Sequence, residues 1–378
     1  MAASFSFFRS VSWFFRSVVW SLNLVLAFYT LLLYALLYFL PFEHWLVSML
    51  LIVLPVAWAV NAVFVLAWLL ARPWRSALSV VTLMAGFWLL PRTYAHNSPG
   101  MIPGQGAISK TGQRHLKILS YNVMEFNLLD FLAHKNQSVK AQRMTDWVIK
   151  ADADVKCFQE FYDSPKYPIF RMTDRLKSLG YPYMAWLKQG NPAVGFKGVA
   201  TFSRFPIIRS GQEVFSRGGF NGLVWTDIAL ERDTVRVINV HLHSMGIRVA
   251  NVAKQDELAE VKQETKGILV ALRDGFAERQ REVHRLEQYI AFSPYPVVVT
   301  GDFNETPYSV VYERLRRKLR NSFEDAGRGF GFSYNKPPGF IRIDNQFYSP
   351  PLHPLNFETL TSVAYSDHYP ILGTYSFE

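Results

Sequence analysis

From Val18 to Leu40 the chain carries no charged side chain, and this constrains the fold more than any other feature. A helix through such a run is long enough to cross the roughly 30 Å hydrocarbon core of a bilayer. Trp45 to Leu70 is a second apolar run, with Pro55 and Asn61 inside it; both are tolerable where neighbouring helices cover the backbone. Ser76 to Pro91, between Arg75 and Arg92, is shorter and reads as a tight third span or a re-entrant segment. A signal peptide is too short to explain the first run, and two further runs follow it. Residues 1–95 are therefore expected to form a transmembrane anchor of two to three helices, about 18–40, 45–70 and 76–91.

Charge divides the chain at the same place. Of 40 basic and 30 acidic residues, only Arg9, Arg16, Arg72, Arg75, Arg92 and Glu43 precede residue 96. The remainder, with 35 basic and 29 acidic residues, is a globular domain whose excess is +6 of the chain's +10. An anionic partner suits that balance, although the anchor's arginines account for part of it. Arg9 and Arg16 precede the first span and Arg72 and Arg75 follow the second, whereas Pro41 to His44 hold no Lys or Arg. The positive-inside rule puts the N-terminus in the cytoplasm; three spans then put the globular domain outside, and two would put it inside. Cys157 is the only cysteine, and its apolar setting marks a packed core thiol rather than a nucleophile.

Residues 96–114 read as a linker rich in Gly, Pro and Ser, and residues 115–378 as the globular domain. Within it strands are expected at Leu116–Tyr121, Val155–Phe158, Leu223–Leu230, Thr234–Val240, Pro296–Thr300, Ile341–Tyr348 and Ile371–Phe377, and two more across Val194–Ile207. Ser138–Ala151 and Tyr308–Leu319 have helical spacing. Val252–Phe292 is a long charged helix or helix pair, broken near Gly275. Strands and helices mixed in this way predict an α/β sandwich.

Polar residues recur where apolar strands stop: Asn122, Glu160, Asn239 with His241, Asp302 with Asn304, and Asp367 with His368, with Asp344 inside a further strand. One such residue alone is explained by turn capping; six positions are not. Glu160, Asn122 and a nearby Asp offer the hard oxygen ligands that Mg²⁺ or Mn²⁺ prefers, and there is no Cys/His cluster of the zinc type. Asp302 is suited to accept a proton from water or to orient it. Asn304, His241 and His368 are suited to donate hydrogen bonds to a phosphoryl group, and a carboxylate beside His368 would hold the imidazole protonated or in one tautomer.

Taken in order, Ile118-Leu119-Ser120-Tyr121-Asn122, Phe158-Gln159-Glu160, Gly198 to Ile207, Asn239-Val240-His241-Leu242, Gly301-Asp302-Phe303-Asn304 and Ser366-Asp367-His368-Tyr369-Pro370 resemble the endonuclease/exonuclease/phosphatase superfamily. The resemblance implies a four-layer α/β sandwich, two mixed sheets flanked by helices, acting as a divalent-metal phosphodiesterase or phosphatase. It implies Glu160 as principal metal ligand assisted by Asn122, and Asp302 as the residue that positions or deprotonates water. Asn304 would hold water and phosphate, His241 and His368 would contact phosphoryl oxygens, and Asp344 or Asp367 would support His368 and the metal. The anchor resembles the membrane-attached bacterial branch, so a multi-pass protein of the bacterial cytoplasmic membrane is expected, with its catalytic domain on the outer side.

The sequence departs from the family twice. Asn345 and Gln346 follow Asp344 where an aromatic or His and an aliphatic residue are usual, and Asn239 to Ser244 lies nearer the sphingomyelinase and phosphatase branches than the repair nucleases. The expected substrate is a phospholipid head group or another phosphodiester; DNA cleavage and a catalytically inactive binding domain are the alternatives. No protein partner is implied. His243 reads as a supporting or surface residue, and Arg342 as a phosphate contact or a solvated arginine. Arg279, Arg281, His284 and Arg285, interleaved with Glu278, Glu282 and Glu287, read as ion pairing on an exposed helix face. Phe330, Phe332 and Tyr334 would stack on a base, touch lipid or simply pack.

Overall fold

The computed structural model describes residues 2–40, 44–97, 115–135, 137–215, 220–244 and 258–377. Most of the expected linker, and the first residues of the helix expected from Val252, lie outside them. The chain divides into two compact units, residues 1–90 with 308–310, and residues 91–307 with 311–378.

The first unit holds α1 (Ala2–Phe39), α2 (Trp45–Leu51), α3 (Leu54–Ala71) and α4 (Pro73–Ala85). Two segments, Arg16–Phe39 and Trp45–Ala71, are long and apolar enough to cross a membrane. The third expected run is divided: α4 has 13 residues, about 20 Å of helix, and a 3₁₀ turn at Phe87–Leu89 follows it. Gly86, at the break, sits against the Tyr34 ring, which a Cβ would overlap. Polarity in this unit runs inside out. Val25, Phe28, Val63, Leu66 and Leu70 are exposed, while Asn23, Thr30, Asn61 and Ser79 are buried. Asn23 Nδ2 donates to Ser79 Oγ at 2.7 Å, Trp68 Nε1 donates to Asn23 Oδ1 at 3.0 Å, and Asn61 Nδ2 donates to Thr30 Oγ1 at 3.0 Å. Arg75 lies among Trp20, Trp68 and Trp74, 4.8 to 5.3 Å from the three rings.

The second unit is built on strands β1 (Ala95–His96), β2 (Leu116–Asn122), β3 (Val155–Asp163), β4 (Tyr183–Asn191), β5 (Gly195–Ser203), β6 (Ile207–Val214), β7 (Gly222–Ala229), β8 (Thr234–His241), β9 (Val297–Asp302), β10 (Arg320–Asn321), β11 (Arg328–Gly329), β12 (Asp344–Tyr348), β13 (Leu352–Thr359) and β14 (Ile371–Phe377). They form two mixed six-stranded sheets, ordered β13-β14-β2-β3-β5-β4 and β10-β12-β9-β8-β7-β6, and a small β1-β11 pair. Each large sheet has one parallel pair at its centre, β2 with β3 and β8 with β9.

Alternation along the strands builds the layers. In β2, Leu116 and Ile118 join Val155, Val237, Val298 and Tyr375 in the core between the sheets, while Leu119 and Tyr121 face an outer core with Phe158, Met144 and Leu176. The short α5 (Leu90–Thr93) precedes β1 in the chain; the outer core is covered by α6 (Leu128–Ala133), α7 (Val139–Lys150) and α8 (Met172–Ser178). On the opposite side Ile238, Val240, Val297 and Val299 pack against Val283 and Leu286 of α9 (Leu258–Ala291) and Leu315 of α10 (Val310–Arg316). A further short helix, α11 (Ser322–Ala326), covers the end near β12. The unit is thus a two-sheet α/β sandwich with helices on both outer faces.

Several boundaries differ from the sequence reading. No break occurs at Gly275: α9 is continuous, because Phe276, Val283 and Leu286 bury one face along its length and outweigh the roughly 1 kcal/mol that a helical Gly costs. Tyr308–Leu319 narrows to α10. Strands β4 and β13 were not expected; β13 carries Pro354 beside a bulge, and it is tolerated because β13 is an edge strand. Residues 91–97, expected to end the anchor and begin a linker, pack within the second unit.

Candidate active site

The carboxyl ends of the two parallel pairs meet. Asn122 ends β2, Glu160 lies in β3, His241 ends β8 and Asp302 ends β9. Asn122 joins the two sheets: its Nδ2 donates to Glu160 Oε1 at 3.2 Å and to Asp302 Oδ2 at 3.1 Å, and its Oδ1 accepts from the Met124 amide.

Glu160 sits at an irregularity of β3, between Phe158 and Phe161, with φ +50°. The left-handed backbone turns its carboxylate out of the strand alternation, and at 31 % it is far more exposed than Asp302 or Asp344. Asn304 also has φ +50°. Such non-glycine conformations cost on the order of 1–3 kcal/mol and persist where the surroundings enforce them. For Asn304 the enforcing bonds are its own amide to Asp302 Oδ1 at 2.9 Å and its Nδ2 to the Leu242 carbonyl at 3.0 Å. Gly301, just before Asp302, has φ +145° and lies so close to the Val240 carbonyl that a Cβ would overlap it.

His368 is almost fully buried between two carboxylates, its Nδ1 2.8 Å from Asp344 Oδ2 and its Nε2 3.6 Å from Asp302 Oδ2. Burial alone would push the imidazole down, but Asp344 and Asp302 outweigh it and raise it to about 10. The two carboxylates favour the protonated ring, whose Nδ1 is hydrogen-bonded to Asp344. Tyr334 packs edge-on against this ring, 5.5 Å between centroids. His241 Nε2 is 3.7 Å from Asp302 Oδ2 and 3.9 Å from Glu160 Oε1, and neither of its ring nitrogens has a hydrogen-bond partner among the described residues.

The structure thus brings together Asn122, Glu160, His241, Asp302, Asn304, Asp344 and His368. Asp367 Oδ1 accepts from Ser366 Oγ at 3.0 Å, and its charge is among those that raise His368. Of the two acids considered for supporting His368, Asp344 is the one bonded to it. Ser366 Oγ also reaches the Asn122 carbonyl at 2.8 Å, tying the segment before His368 to the end of β2.

The donor set suits a hard divalent cation. Asp302 and Asp344 flank the His368 ring and Glu160 lies beyond Asn122; Asp344 Oδ1 is buried without a hydrogen-bond partner among the described residues, and the sole cysteine lies in the core between the sheets. Asp302, Asp344 and His368 each offer a ligand atom within 4.8 Å of the others. With the imidazole protonated, the oxygens are the available donors, which is the preference of Mg²⁺ and Mn²⁺.

Two residues read as surface ion pairs are central supports. Arg279 and Glu282, on α9, are fully buried. Arg279 Nε donates to Glu305 Oε1 at 2.8 Å and its Nη1 to the His243 carbonyl at 2.9 Å. Glu282 Oε2 accepts from the His243 amide at 2.8 Å, and burial pushes this carboxyl up to about 7. Together they grip the turns after His241 and Asn304. The exposed face of the helix behaves as expected, with Arg281 bonded to Glu278. Another residue not singled out for this role is Gln159, whose Nε2 donates to Asn239 Oδ1 at 2.7 Å and links the sheets beneath the site. Arg342 is neither solvated nor a phosphate contact: it is 3 % exposed and bonded to Asn345 and to the Arg92 carbonyl.

Fold and site define a two-sheet hydrolase scaffold with an acidic, histidine-bearing centre at its strand ends. Residues 119–368 match the Endonuclease/Exonuclease/phosphatase family, and the chain belongs to that family. Its members are divalent-metal-dependent hydrolases. Residues 16–93 match a domain of unknown function, DUF8431. Among solved structures, an endonuclease/exonuclease/phosphatase from Beutenbergia cavernae DSM 12333 is similar at 16 % identity over 70 % of this chain and 72 % of its own, with a TM-score of 0.51. A family protein from Bacteroides thetaiotaomicron is similar at 19 % identity, 70 % and 98 % coverage and a TM-score of 0.49. A mannosyl-6-phosphatase from Bacteroides thetaiotaomicron VPI-5482 is similar at 20 % identity, 69 % and 100 % coverage and a TM-score of 0.46. No curated protein matches the chain.

Proposed function

We propose that the chain is a membrane-anchored, Mg²⁺-dependent phosphodiesterase acting on a phosphodiester at the membrane surface. The observation that carries the reading is the Asp302–His368–Asp344 group, which Asn122 and His241 join to Glu160 at the strand ends. A bound Mg²⁺ or Mn²⁺, held by Glu160 with Asn122, would supply Lewis-acid polarisation of a phosphoryl oxygen. Asp302 accepts the proton of the attacking water. Asn304 holds that water, and the Asp302 contact to its amide fixes its place. His241 and the His368 imidazolium donate to phosphoryl oxygens as negative charge grows there, and Asp344 keeps the imidazolium oriented. Asp367 acts from further out, on the same segment as His368.

The inside-out polarity of the first unit supports the anchor, since lipid-facing helices bury their polar groups against one another. Arg75 among Trp20, Trp68 and Trp74 makes the start of the Arg16–Phe39 segment, the end of α3 and the start of α4 basic and aromatic, as a cytoplasmic interface would be. With α4 and its continuation as a third span, residues 115–378 work on the outer side.

The test is hydrolysis of bis-p-nitrophenyl phosphate by the full chain in detergent, with Mg²⁺ or EDTA, beside Asp302→Ala. Turnover that needs the metal and falls at least about 10³-fold in the variant supports the reading; equal turnover in both proteins rejects it. Phospholipid vesicles against plasmid DNA, over a salt series, then separate a lipid substrate from nucleic acid, whose binding falls steeply with salt.

A further inference from the structure

Residues 91–97 fall between apolar helices and a Gly- and Pro-rich stretch, yet they are built into the catalytic unit. Arg92 is 5 % exposed, with Nη2 2.6 Å from Glu313 Oε2 and Nε 4.0 Å from Glu324 Oε1. Ala95 and His96 pair with Gly329 and Arg328. Asn97 Nδ2 donates to the carbonyls of Glu324 and Gly327 at 3.1 and 3.0 Å. This segment is a strap, fixed by a buried ion pair, a strand pair and an amide clamp.

Arg342 connects the strap to the acids of the site. Its Nη2 donates to the Arg92 carbonyl at 2.8 Å, its Nη1 donates to Asn345 Oδ1, and its guanidinium lies 4.1 Å from the Phe323 ring centre. Asn345 and Asp344 are successive residues of β12 and point to opposite faces. Asp344 points towards His368. Asn345 points outward, where Asn321 Nδ2 also reaches it at 3.4 Å. The same peptide pairs with Gly301 and Asp302 of β9. Holding Asn345 from outside therefore fixes the backbone from which Asp344 reaches inward. Stability alone does not account for Arg342, because its Nε is buried without a partner among the described residues, a costly arrangement that an apolar side chain would avoid.

We propose that Arg342 is a positioning residue for the Asp344–His368 pair, acting through Asn345, and that Arg92 makes the strap part of the active-site scaffold. The inference rests on the phosphodiesterase reading and adds to it a dependence of the site on the segment that follows the anchor. The chemistry itself stays with Asp302, His241 and His368.

The experiment is a double-mutant cycle in the full chain, Arg342→Met and Asp344→Asn singly and together, with bis-p-nitrophenyl phosphate and Mg²⁺, and thermal unfolding of each protein. Arg342→Met is expected to lower kcat about tenfold to a hundredfold, as a misplacement of about 1 Å does. KM should change less than about threefold, since ground-state binding is untouched. In the Asp344→Asn background the same change should cost less than about twofold, because the two act as one unit. Arg342→Lys keeps the charge but not the planar fork; it should fold, show an intermediate kcat, and carry the cycle if Arg342→Met does not fold. Arg92→Met should shift kcat in the same direction by less. Equal losses in both backgrounds, or wild-type kcat in the folded Arg342 variants, would overturn the proposal. If Asp302→Ala retains wild-type turnover, the phosphodiesterase reading falls first and this inference with it.

Discussion

Arg279→Met should unfold the catalytic unit far more readily than its position among helix-surface charges suggests. Arg279 and Glu305 are fully buried, 2.8 Å apart. Removing one member of a buried pair leaves an uncompensated charge and costs about 3–5 kcal/mol. The His243 carbonyl loses its Nη1 donor as well, so the upper half of that range applies. For a domain of this size each kcal/mol lowers Tm by about 2–4 °C, so a drop of about 8–20 °C is expected. Tryptophan fluorescence on heating, at one detergent and one protein concentration, reads it. The second arm is Arg279→Met with Glu305→Met. With both charges gone the desolvation cost goes too, and the pair of methionines should recover to within about 2 kcal/mol of wild type. A single-variant Tm within 2 °C of wild type (less than about 1 kcal/mol), or a double variant no better than the single, would show that this pair does not hold the unit together.

Two further expectations test the same supports. Burial raises the Glu282 carboxyl from its ordinary 4.5 to about 7, so between those values the native state keeps a proton that the unfolded chain releases. Its contribution to stability therefore falls as pH rises through that window, by up to about 3 kcal/mol. Glu282→Gln should match wild type in urea unfolding at pH 4.5–5 and exceed it at pH 8, whereas parallel curves at both pH values would remove Glu282 as the cause. Gly301→Ala must accept φ +145° and a Cβ on the Val240 carbonyl. A loss of about 3 kcal/mol or more, together with the loss of turnover, is expected in the same assays, and wild-type stability would show that β9 can shift away from β8.

The site was legible where the strands end, because there the residue type and the chemistry coincide. An Asn or Asp at the end of a β-branched run has few other reasons to be followed by a second polar group two residues on, as Asp302 and Asn304 are. Tertiary pairing was less legible. Nothing in the sequence chooses Asp344 over Asp367 as the partner of His368; the choice is made by β12 lying beside β9, which sets Asp344 opposite Asp302. Arg279 was hidden by its acidic and basic neighbours, yet a signal was present. Phe276, Arg279, Val283 and Leu286 follow at helical spacings of three and four, so the arginine sits on the apolar face of α9 rather than among the charges around it. Arg92 was misplaced for the opposite reason. It follows an apolar run, and composition alone assigned it to the anchor, whereas its Glu313 partner lies more than two hundred residues later in the chain. Strand β13 was obscured by Pro354, which reads as a strand breaker unless the strand is known to be an edge.

The dipeptide Asn345-Gln346, which departs from the family pattern, bears on whether the centre is active. Neither side chain enters the site. Gln346 points between the sheets, where its Nε2 donates to the Ile118 carbonyl at 2.9 Å and its Oε1 accepts from Tyr375 at 2.7 Å. Asn345 points the other way, to Arg342. The polar pair thus substitutes for apolar packing on both faces of β12 while Asp344 keeps its bond to His368. A domain retained only for binding would have no physical reason to keep Asp302 and Asp344 flanking His368, and Glu160 and Asn304 in left-handed backbone, since each is a cost to stability. Relief of those costs by substitution gives the argument a measurable form. Under the proposed chemistry Asp302→Asn should raise Tm without metal, by removing one charge from the cluster, while abolishing turnover. A lower Tm in that variant would mean that Asp302 is held for structure, and the inactive-domain reading would then gain the ground that the hydrolase reading loses.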